Sequence, residues 1–437
     1  MNYAQTLDFL FASLPAFETK GATAYKPGLE RIASFCKTMG NPQRNFFTVH
    51  VAGTNGKGSV SHIIAAVLQQ AGYRTGLYTS PHLRDFRERI RVDGEMIPKQ
   101  KVVNFVDKYH DKMVEAGLSF FEMTTALAFD YFAQSDVEVA VIETGLGGRL
   151  DATNILTPIV SVITNVALEH TDLLGTTLGA VAAEKAGIIK KSIPLVVGER
   201  CAATSEVFER RAAELKSKVV YSEDAFVLDS ERCGVEGCTY TVTRRRDGRR
   251  FELSLDMSGD YQRRNIITVC AVADLLHEET PLTISRRAFV EGLRTAAAAT
   301  GLTGRWQKVD DEPCTVCDTG HTPYAFEYLS QQLSRIGCKG RKVAVLGFVR
   351  DKDAAGIFAK LSGGAVDEAV LVRPSVGRAM EMDEMVSAAT AAGIVCTSAG
   401  SMPEALAAAR EKAGNDGFVF VGGSTYLVAD LLALSES

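Results

Sequence analysis

The run Val51-Ala-Gly-Thr-Asn-Gly-Lys-Gly-Ser59 constrains this chain more than any other stretch. It follows a strand-like segment, Asn45-Phe-Phe-Thr-Val-His50, and precedes a helical pattern from Ser61 to Gln70. Strand, glycine-rich loop, lysine, hydroxyl and helix together hold a nucleotide triphosphate. Glycines let backbone N–H groups close around phosphate oxygens, and the helix N-terminus adds its dipole. Lys57 would neutralise the outer phosphates, and the Ser59 hydroxyl would ligate Mg²⁺. Val51 stands where a first glycine is usual, and Gly58 separates the lysine from the serine. A bare Gly-Lys-x-Ser also fits an ordinary turn, so the flanking pattern decides. Val60, Ile63, Ile64, Val67 and Leu68 keep the spacing of one buried helix face, and Gly72 follows where a C-cap belongs.

Strand and helix patterns alternate on both sides of this loop. Strands are expected at Phe46–Val51, Thr75–Tyr78, Val137–Ile142, Ile159–Thr164 and Ile193–Val197. Apolar, β-branched strands separated by helices indicate a mostly parallel sheet covered on both faces. Between Val219 and Met257 the pattern changes to short alternating strands, including Cys238–Val242 and Phe251–Leu255, with a hairpin around Asp247-Gly248. A second α/β series follows at Thr315–Cys317, Lys342–Leu346, Glu368–Val372, Ile394–Thr397 and Gly417–Val421. The fold class is therefore α/β: an N-terminal, mostly parallel nucleotide-binding sheet with a small antiparallel patch, then a smaller Rossmann-like C-terminal domain. Residues 1–296 and 303–437 are the expected domains, and the small-residue segment Arg294–Gly304 the linker. Open α/β sheets bind ligands beyond the carboxyl ends of their strands, so a cleft between the two domains is the expected active site.

A formal charge of -5 argues against a dedicated nucleic-acid binder. The arginines at 244–246, 249 and 250 read as a solvated hairpin face. There is no apolar run long enough for a membrane span, and Met1-Asn-Tyr-Ala-Gln-Thr lacks a secretory pattern, so the expected compartment is the cytoplasm. The 9 cysteines are scattered and odd in number, which reads as reduced thiols packed in strands, not as a disulfide framework or a zinc site.

Three polar clusters stand at expected strand ends. They are Tyr78-Thr-Ser-Pro-His82 with Arg84, Arg87, Glu88 and Arg89; Glu143-Thr-Gly-Leu-Gly-Gly-Arg-Leu-Asp-Ala-Thr-Asn154; and Thr164-Asn-Val-Ala-Leu-Glu-His-Thr-Asp172. Glu143, at the end of a buried strand, is placed like the acidic Mg²⁺ partner of nucleotide enzymes, and His170 could ligate a metal or orient one. A lone Glu or His is more often an ordinary surface residue. Recurrence at three strand ends argues otherwise.

Gly53–Ser59, Tyr78–His82, Gly145–Asn154 and Glu184-Lys-Ala-Gly-Ile-Ile-Lys190 together resemble the folylpolyglutamate synthase / dihydrofolate synthase family of the Mur-ligase superfamily. Arg305-Trp-Gln307, Asp318-Thr-Gly-His-Thr-Pro323, Asp351-Lys-Asp353 and Gly423-Ser-Thr-Tyr-Leu427 extend the resemblance over nearly the whole chain. It implies an ATP-dependent amide ligase. ATP phosphorylates a carboxylate, and the amine of L-glutamate then displaces phosphate from the acyl phosphate.

The resemblance also implies roles for individual residues. Gly53, Thr54, Asn55, Gly56, Lys57, Gly58 and Ser59 would hold the phosphates, and Gln262 and Asn265 the adenine side. Arg305 and His321 would reach the phosphates, and Asp318 the ribose. Ser59, Ser80, Glu143, His170 and a carboxylated Lys185 would surround two Mg²⁺ ions. From its residues alone, Lys185 reads as a solvated helix lysine. Lys57, His170, Lys185 and His321 form the implied catalytic set. Arg84, Phe121, Arg149 and Asp151 would contact the pterin, and Ser424 the glutamate. Dihydropteroate and reduced folates are the implied substrates, K⁺ a further family-level expectation and a monomer the expected state. Thr322 stands where the family pattern Asp-Gly-Ala-His-Asn-Pro has asparagine. The main expectation is a bifunctional ligase acting on both pterins. A monofunctional folylpolyglutamate synthase, another Mur-type ligase and a non-catalytic nucleotide-binding regulator are the competing readings.

Overall fold

A computed structural model describes residues 1–12 and 28–434. The chain divides into two compact units. One comprises Met1–Glu231, Thr239–Asp256 and Arg263–Gly301; the other comprises Arg232–Cys238, Met257–Gln262 and Leu302–Ser437.

The first unit is built on an eight-stranded sheet. Its strands are β1 (Phe47–Ala52), β2 (Thr75–Tyr78), β3 (Ile90–Val92), β4 (Glu95–Met96), β5 (Val139–Glu143), β6 (Val160–Ile163), β7 (Leu195–Val197) and β8 (Val219–Tyr221), in the order β4-β3-β2-β5-β1-β6-β7-β8. From β2 to β8 all neighbours pair in parallel, and β3 and β4 extend one edge antiparallel. The central strands are buried at nearly every position and mostly apolar because both faces are covered. One cluster packs Phe35, Phe105, Phe129 and Phe132 with Ala140 and Ile142; another packs Ala182, Ile188 and Phe208 with Ala52, Ile163 and Val197. Each such large apolar side chain contributes roughly 1.5–3 kcal/mol on burial.

The order of the strands decides where the site lies. β1 sits between β5 and β6, with connections running outward to either side, the topological switch point at which such sheets bind ligands. Val51 pairs with Glu143 in β5 and Ala52 with Ile163 in β6. The loops after β1, β5 and β6 therefore leave the sheet side by side.

Three further strands, β9 (Phe226–Cys233), β10 (Cys238–Arg244) and β11 (Arg250–Leu255), form a separate sheet. The Asp247-Gly248 hairpin is present, with Gly248 at φ 68° and Arg244 N donating to Arg249 O at 2.8 Å. Val219–Tyr221 lies outside this patch, as a parallel edge strand of the large sheet. The expectation of reduced thiols fails at one place: Cys233 and Cys238 form a disulfide. They flank a tight turn in which Gly234 N donates to Gly237 O at 2.9 Å, which brings their Cα atoms to 4.1 Å. The other 7 cysteines are free thiols. The alanine-rich stretch read as linker contains a short helix, Ala296–Thr300, closed by Gly301 at φ 66°.

The second unit carries a six-stranded sheet of β12 (Gln307–Asp311), β13 (Cys314–Asp318), β14 (Lys342–Leu346), β15 (Glu368–Leu371), β16 (Cys396–Ser398) and β17 (Phe418–Gly422). The order is β12-β13-β17-β14-β15-β16, parallel except for β12 at the edge. Trp306, Phe326, Phe348, Phe358 and Phe420 fill its core.

Candidate active site

The phosphate loop lies between β1 and the helix Lys57–Gln70. The helix begins at the lysine itself, earlier than the apolar periodicity indicates. Gly53 and Gly56 hold φ of 150° and 83°, conformations that favour glycine. A Cβ at Gly53 would lie 1.9 Å from Thr164 Oγ1, and one at Gly56 would lie 2.5 Å from Asn265 Oδ1. Asn265 thus sits directly against the loop. Ser59 is buried in the first turn, and the Lys57 ammonium donates to Gly53 O at 3.0 Å and Thr54 O at 3.1 Å, across the mouth of the loop.

Residues after β6 latch this loop. Asn165 O accepts from Thr54 N at 3.0 Å, and Asn165 Oδ1 accepts from Asn55 N at 2.9 Å. Thr54 Oγ1 donates to Ala167 O at 3.2 Å and accepts from Ala167 N at 3.0 Å, while Thr164 Oγ1 donates to Asn55 O at 2.6 Å. Sequence reasoning missed Thr164 and Asn165, although both lie in the polar cluster it singled out. Two residues beyond this latch comes Glu169, then His170 with φ 45° and ψ 46°, a left-handed conformation uncommon for residues other than glycine.

Glu143 ends β5 with its carboxylate buried and accepts from Ser80 N at 3.1 Å, which joins the first two polar clusters. Lys185 ends the helix Leu178–Lys185 and is fully buried, not solvated as its residue type suggests. Its Nζ donates to Glu169 Oε1 at 2.6 Å. Burial pushes the Lys185 ammonium down to about 8 against the pull of Glu169. Glu169 is itself penalised by burial, yet Lys185 and Lys57 hold its carboxyl below the usual range. Glu169 is a further site residue that sequence reasoning did not name; its place next to His170 was the available signal.

The glycine-rich loop after β5 packs closely on this helix. Arg149 N donates to Glu184 O at 2.7 Å, and the exposed Arg149 guanidinium donates to Glu184 Oε1 at 2.8 Å. Phe121 is half-buried against Gly145, where an added Cβ would lie 2.4 Å from its ring. Arg84 is exposed on the turn after Pro81, its N–H donating to Glu88 Oε1 at 3.1 Å. Asp151 differs from the expected ligand-facing carboxylate. It is buried and accepts from Gly145 N, Leu146 N, Thr153 N and Thr153 Oγ1, so its oxygens close the loop on itself.

Asp318 in the second unit is also interior. It accepts from Tyr261 Oη at 2.7 Å, Trp306 N at 2.8 Å and Gly320 N at 2.7 Å. Burial raises its carboxyl above the usual range, opposed by nearby Arg305. Arg305 is half-buried beside Trp306, whose φ is 47°. His321 Nδ1 donates to Thr319 O at 2.9 Å, which leaves Nε2 as the basic nitrogen. Thr322 caps the helix Pro323–Arg335 by accepting from Ala325 N at 3.2 Å, a role asparagine would also fill. Gln262 is buried and donates to Met257 Sδ at 3.4 Å. Ser424 is buried at the start of the helix Thr425–Leu434, where its Oγ accepts from Tyr426 N at 3.1 Å; that is a capping role.

Among the described residues no group of three or more His, Cys, Asp or Glu side chains could hold a metal ion. The expected donors are the hydroxyls of Ser59 and Ser80, the buried Glu143 carboxylate, the His170 imidazole and Lys185 in its carboxylated form, so oxygen donors predominate. Such a set suits Mg²⁺, which takes one or two protein carboxylates and completes its shell with water and phosphate oxygens. No helix among the described residues is long and apolar enough to cross a membrane.

Comparison with known proteins identifies the family and the fold. The Mur ligase middle domain model matches residues 51–273, and the Mur ligase glutamate ligase domain model matches residues 304–425. Folylpolyglutamate synthase of Lacticaseibacillus casei is 34% identical over 389 residues, 87% of this chain and 87% of that protein. Dihydrofolate synthase/folylpolyglutamate synthase of Escherichia coli is 34% identical over 340 residues, 76% of this chain and 75% of that protein. The solved structure of E. coli FolC in complex with DHPP and ADP has a TM-score of 0.87 and 29% identity, and covers 100% of this chain and 98% of that one.

Proposed function

Since the chain belongs to the folylpolyglutamate synthase / dihydrofolate synthase family of Mur ligases, we propose that it joins L-glutamate to dihydropteroate and to reduced folates at the expense of ATP. The observation that carries this is the full-length likeness to the E. coli enzyme bound to DHPP and ADP. The phosphate loop, Glu143 and Lys185 supply a matching local chemistry.

In this reading the pterin-side carboxylate attacks the γ-phosphorus of ATP and ADP departs. The glutamate amine then attacks the acyl carbon, the C–O bond to phosphate breaks, and the amine's proton leaves with solvent. The protein supplies no covalent nucleophile; it positions the reactants and balances charge. Gly53–Ser59 cradle the phosphates through backbone N–H groups. Lys57, held across the loop mouth, swings its ammonium from the carbonyls of Gly53 and Thr54 to the outer phosphates. Arg305 and His321 act on the same phosphates, Gln262 and Asn265 on the adenine, and Asp318 on the ribose. Phe121, Arg149 and Arg84 face the pterin, with Asp151 acting through the loop it closes. Ser59, Ser80, Glu143 and His170 would hold Mg²⁺, which withdraws charge from phosphate oxygens when bound with nucleotide.

Carboxylation of Lys185 belongs to the same proposal. Addition of CO₂ requires the neutral amine, and burial increases its share. The expectation of K⁺ rests on the resemblance, that of a cytoplasmic location on the lack of secretory and membrane-spanning patterns in the sequence, and that of a monomer on the ability of one chain to enclose ATP.

The test is ADP release with ATP, Mg²⁺ and L-glutamate, comparing 7,8-dihydropteroate, tetrahydrofolate and no pterin, with product masses read. Turnover on both pterins, each product one glutamyl residue heavier, is expected. Turnover on tetrahydrofolate alone makes the enzyme a folylpolyglutamate synthase only, the name its L. casei relative carries. No pterin-dependent turnover rejects the proposal.

A further inference from the structure

His50 lies in the middle of β1, three residues before Gly53, and is fully buried. A buried imidazole in a strand otherwise filled by apolar and small side chains is costly unless it is hydrogen-bonded. Its Nε2 lies 2.8 Å from Thr153 Oγ1, across the sheet in the turn Ala152–Ile155.

The direction of this bond follows from counting hydrogens. Asp151 accepts from Gly145 N at 2.8 Å, Leu146 N at 2.9 Å and Thr153 N at 3.0 Å, and also from the Thr153 hydroxyl. Burial raises the Asp151 carboxyl above its ordinary value, but three backbone N–H donors on its two oxygens favour the anion, an acceptor only. The single hydroxyl hydrogen of Thr153 therefore goes to Asp151, and its oxygen accepts from His50. This sets the imidazole as the Nε2–H tautomer. The bare Nδ1 has no partner among the described residues, so His50 anchors this network through one bond alone.

We propose that His50 and Thr153 are positioning residues for the pterin side of the ligase reaction. The relay His50 Nε2–H to Thr153 Oγ1–H to Asp151 fixes the start of the glycine-rich loop to the strand that carries the phosphate loop. Asp151 binds the amides of Gly145 and Leu146, and Gly145 is the residue against which Phe121 packs. The same loop delivers Arg149 to Glu184. Loss of the relay frees these amides and loosens the seat of the pterin. The phosphate loop keeps its own latch through Thr54, Asn55 and Asn165. The kinetic part of this inference rests on the proposed ligase activity; the relay itself does not.

The test compares the full-length wild type with Thr153→Val, which keeps shape but removes both hydrogen-bonding roles, and with Thr153→Ser, which restores them. Two quantities are read: amide exchange in a peptide covering 145–150, and KM for 7,8-dihydropteroate against Kd for ADP. Thr153→Val should speed exchange at Gly145 and Leu146 about tenfold or more and raise pterin KM by a similar factor, with ADP affinity within about twofold. Thr153→Ser should return both towards wild type. Unchanged exchange at those two amides overturns the relay. Faster exchange with unchanged KM and kcat reduces it to a structural staple and overturns the positioning role. A parallel loss of ADP affinity assigns the relay to the phosphate loop instead and overturns the proposal as stated. If the wild type shows no pterin-dependent ADP release, the ligase reading has failed, and with it the kinetic role; the exchange comparison still decides the relay. Should Thr153→Val not fold, His50→Leu with His50→Gln as its rescue carries the same measurements.

Discussion

His170 and Trp306 both hold left-handed backbone, at φ 45° and 47°, and both stand at positions assigned to phosphate chemistry or next to them. Such backbone costs roughly 1–3 kcal/mol per residue, and Asn41, Asp93, Asp136, Ser192 and Lys216 also carry positive φ at positions given no role in the reaction. His170→Gly should therefore leave stability unchanged or raise it by up to about 1 kcal/mol, while turnover falls at least about a hundredfold. Urea unfolding beside an ADP-release assay checks both halves, and loss of stability in step with activity would make His170 a structural residue. His50 provides a pH test. Its ionisation is pushed down from 6.5 to about 3 by burial and by Lys190, so the unfolded chain binds the extra proton first. Its contribution to stability is whole above about pH 6.5 and falls as pH drops towards 3, by up to a few kcal/mol. His50→Gln should flatten the acid limb of a stability–pH curve; an unchanged limb would mean His50 is protonated when folded. At this scale the sequence singles out residues whose type announces chemistry, such as Lys57, His170 and Asp318, and their proposed roles await the assays above. Glu169, Asn165 and Thr153 escaped because their importance comes from neighbours distant along the chain. Asp151 and Ser424 were visible, but their local hydrogen bonds were not, because sequence position does not tell which way a carboxylate or hydroxyl faces.

Elements were more legible than side chains wherever an apolar run marked them. The central strands β1, β2, β5 and β6 lie within two residues of the expected ranges, since burial on both faces demands continuous apolar sequence. The strands β3, β4 and β8 are only 3, 2 and 3 residues long, and β12 is mostly polar, so they carry no such mark. The start of the helix Lys57–Gln70 was hidden because its first turn is the phosphate loop, whose residues serve ligand binding and not the core. That helix also packs against Arg286–Arg294 at closest approach: a Cβ on Gly292 would lie 2.5 Å from Val67 Cα. Backbone cannot yield as a flexible side chain would, so Gly292→Ala should cost about 1–3 kcal/mol by forcing the helices apart. Thr322 gives the opposite case. Thr322→Ala should cost about 1 kcal/mol through the lost cap, and Thr322→Asn almost nothing. Chemical denaturation of the three variants decides. A costly Thr322→Asn would show that threonine serves more than the cap.

Among the described residues, separate apolar cores, two clusters on the eight-stranded sheet and one on the six-stranded sheet, set the behaviour of the whole molecule. The repeated alternation of strand and helix made two α/β sheets readable. The assignment of Arg232–Cys238 and Met257–Gln262 to the second unit was not readable, because it depends on long-range contact and not on local pattern. With separate cores, heat should unfold the two units in two transitions. Phe420 is fully buried in the second core against Trp306 and Phe326. Phe420→Ala removes a ring from a packed interior and should cost about 3–5 kcal/mol, lowering one transition only. Through its contacts with the phosphate loop ADP should raise the first unit's transition, within a total stabilisation of about 2.7 kcal/mol at a hundredfold excess over Kd. Lys57→Ala should weaken that shift, because the loop loses the cation that meets the phosphates. Scanning calorimetry of the wild type and the two variants, each with and without ADP, separates the possibilities. If Phe420→Ala and ADP move a single common transition, the units unfold as one body. Energy from the nucleotide would then be felt throughout the chain and not only in the unit that carries the phosphate loop.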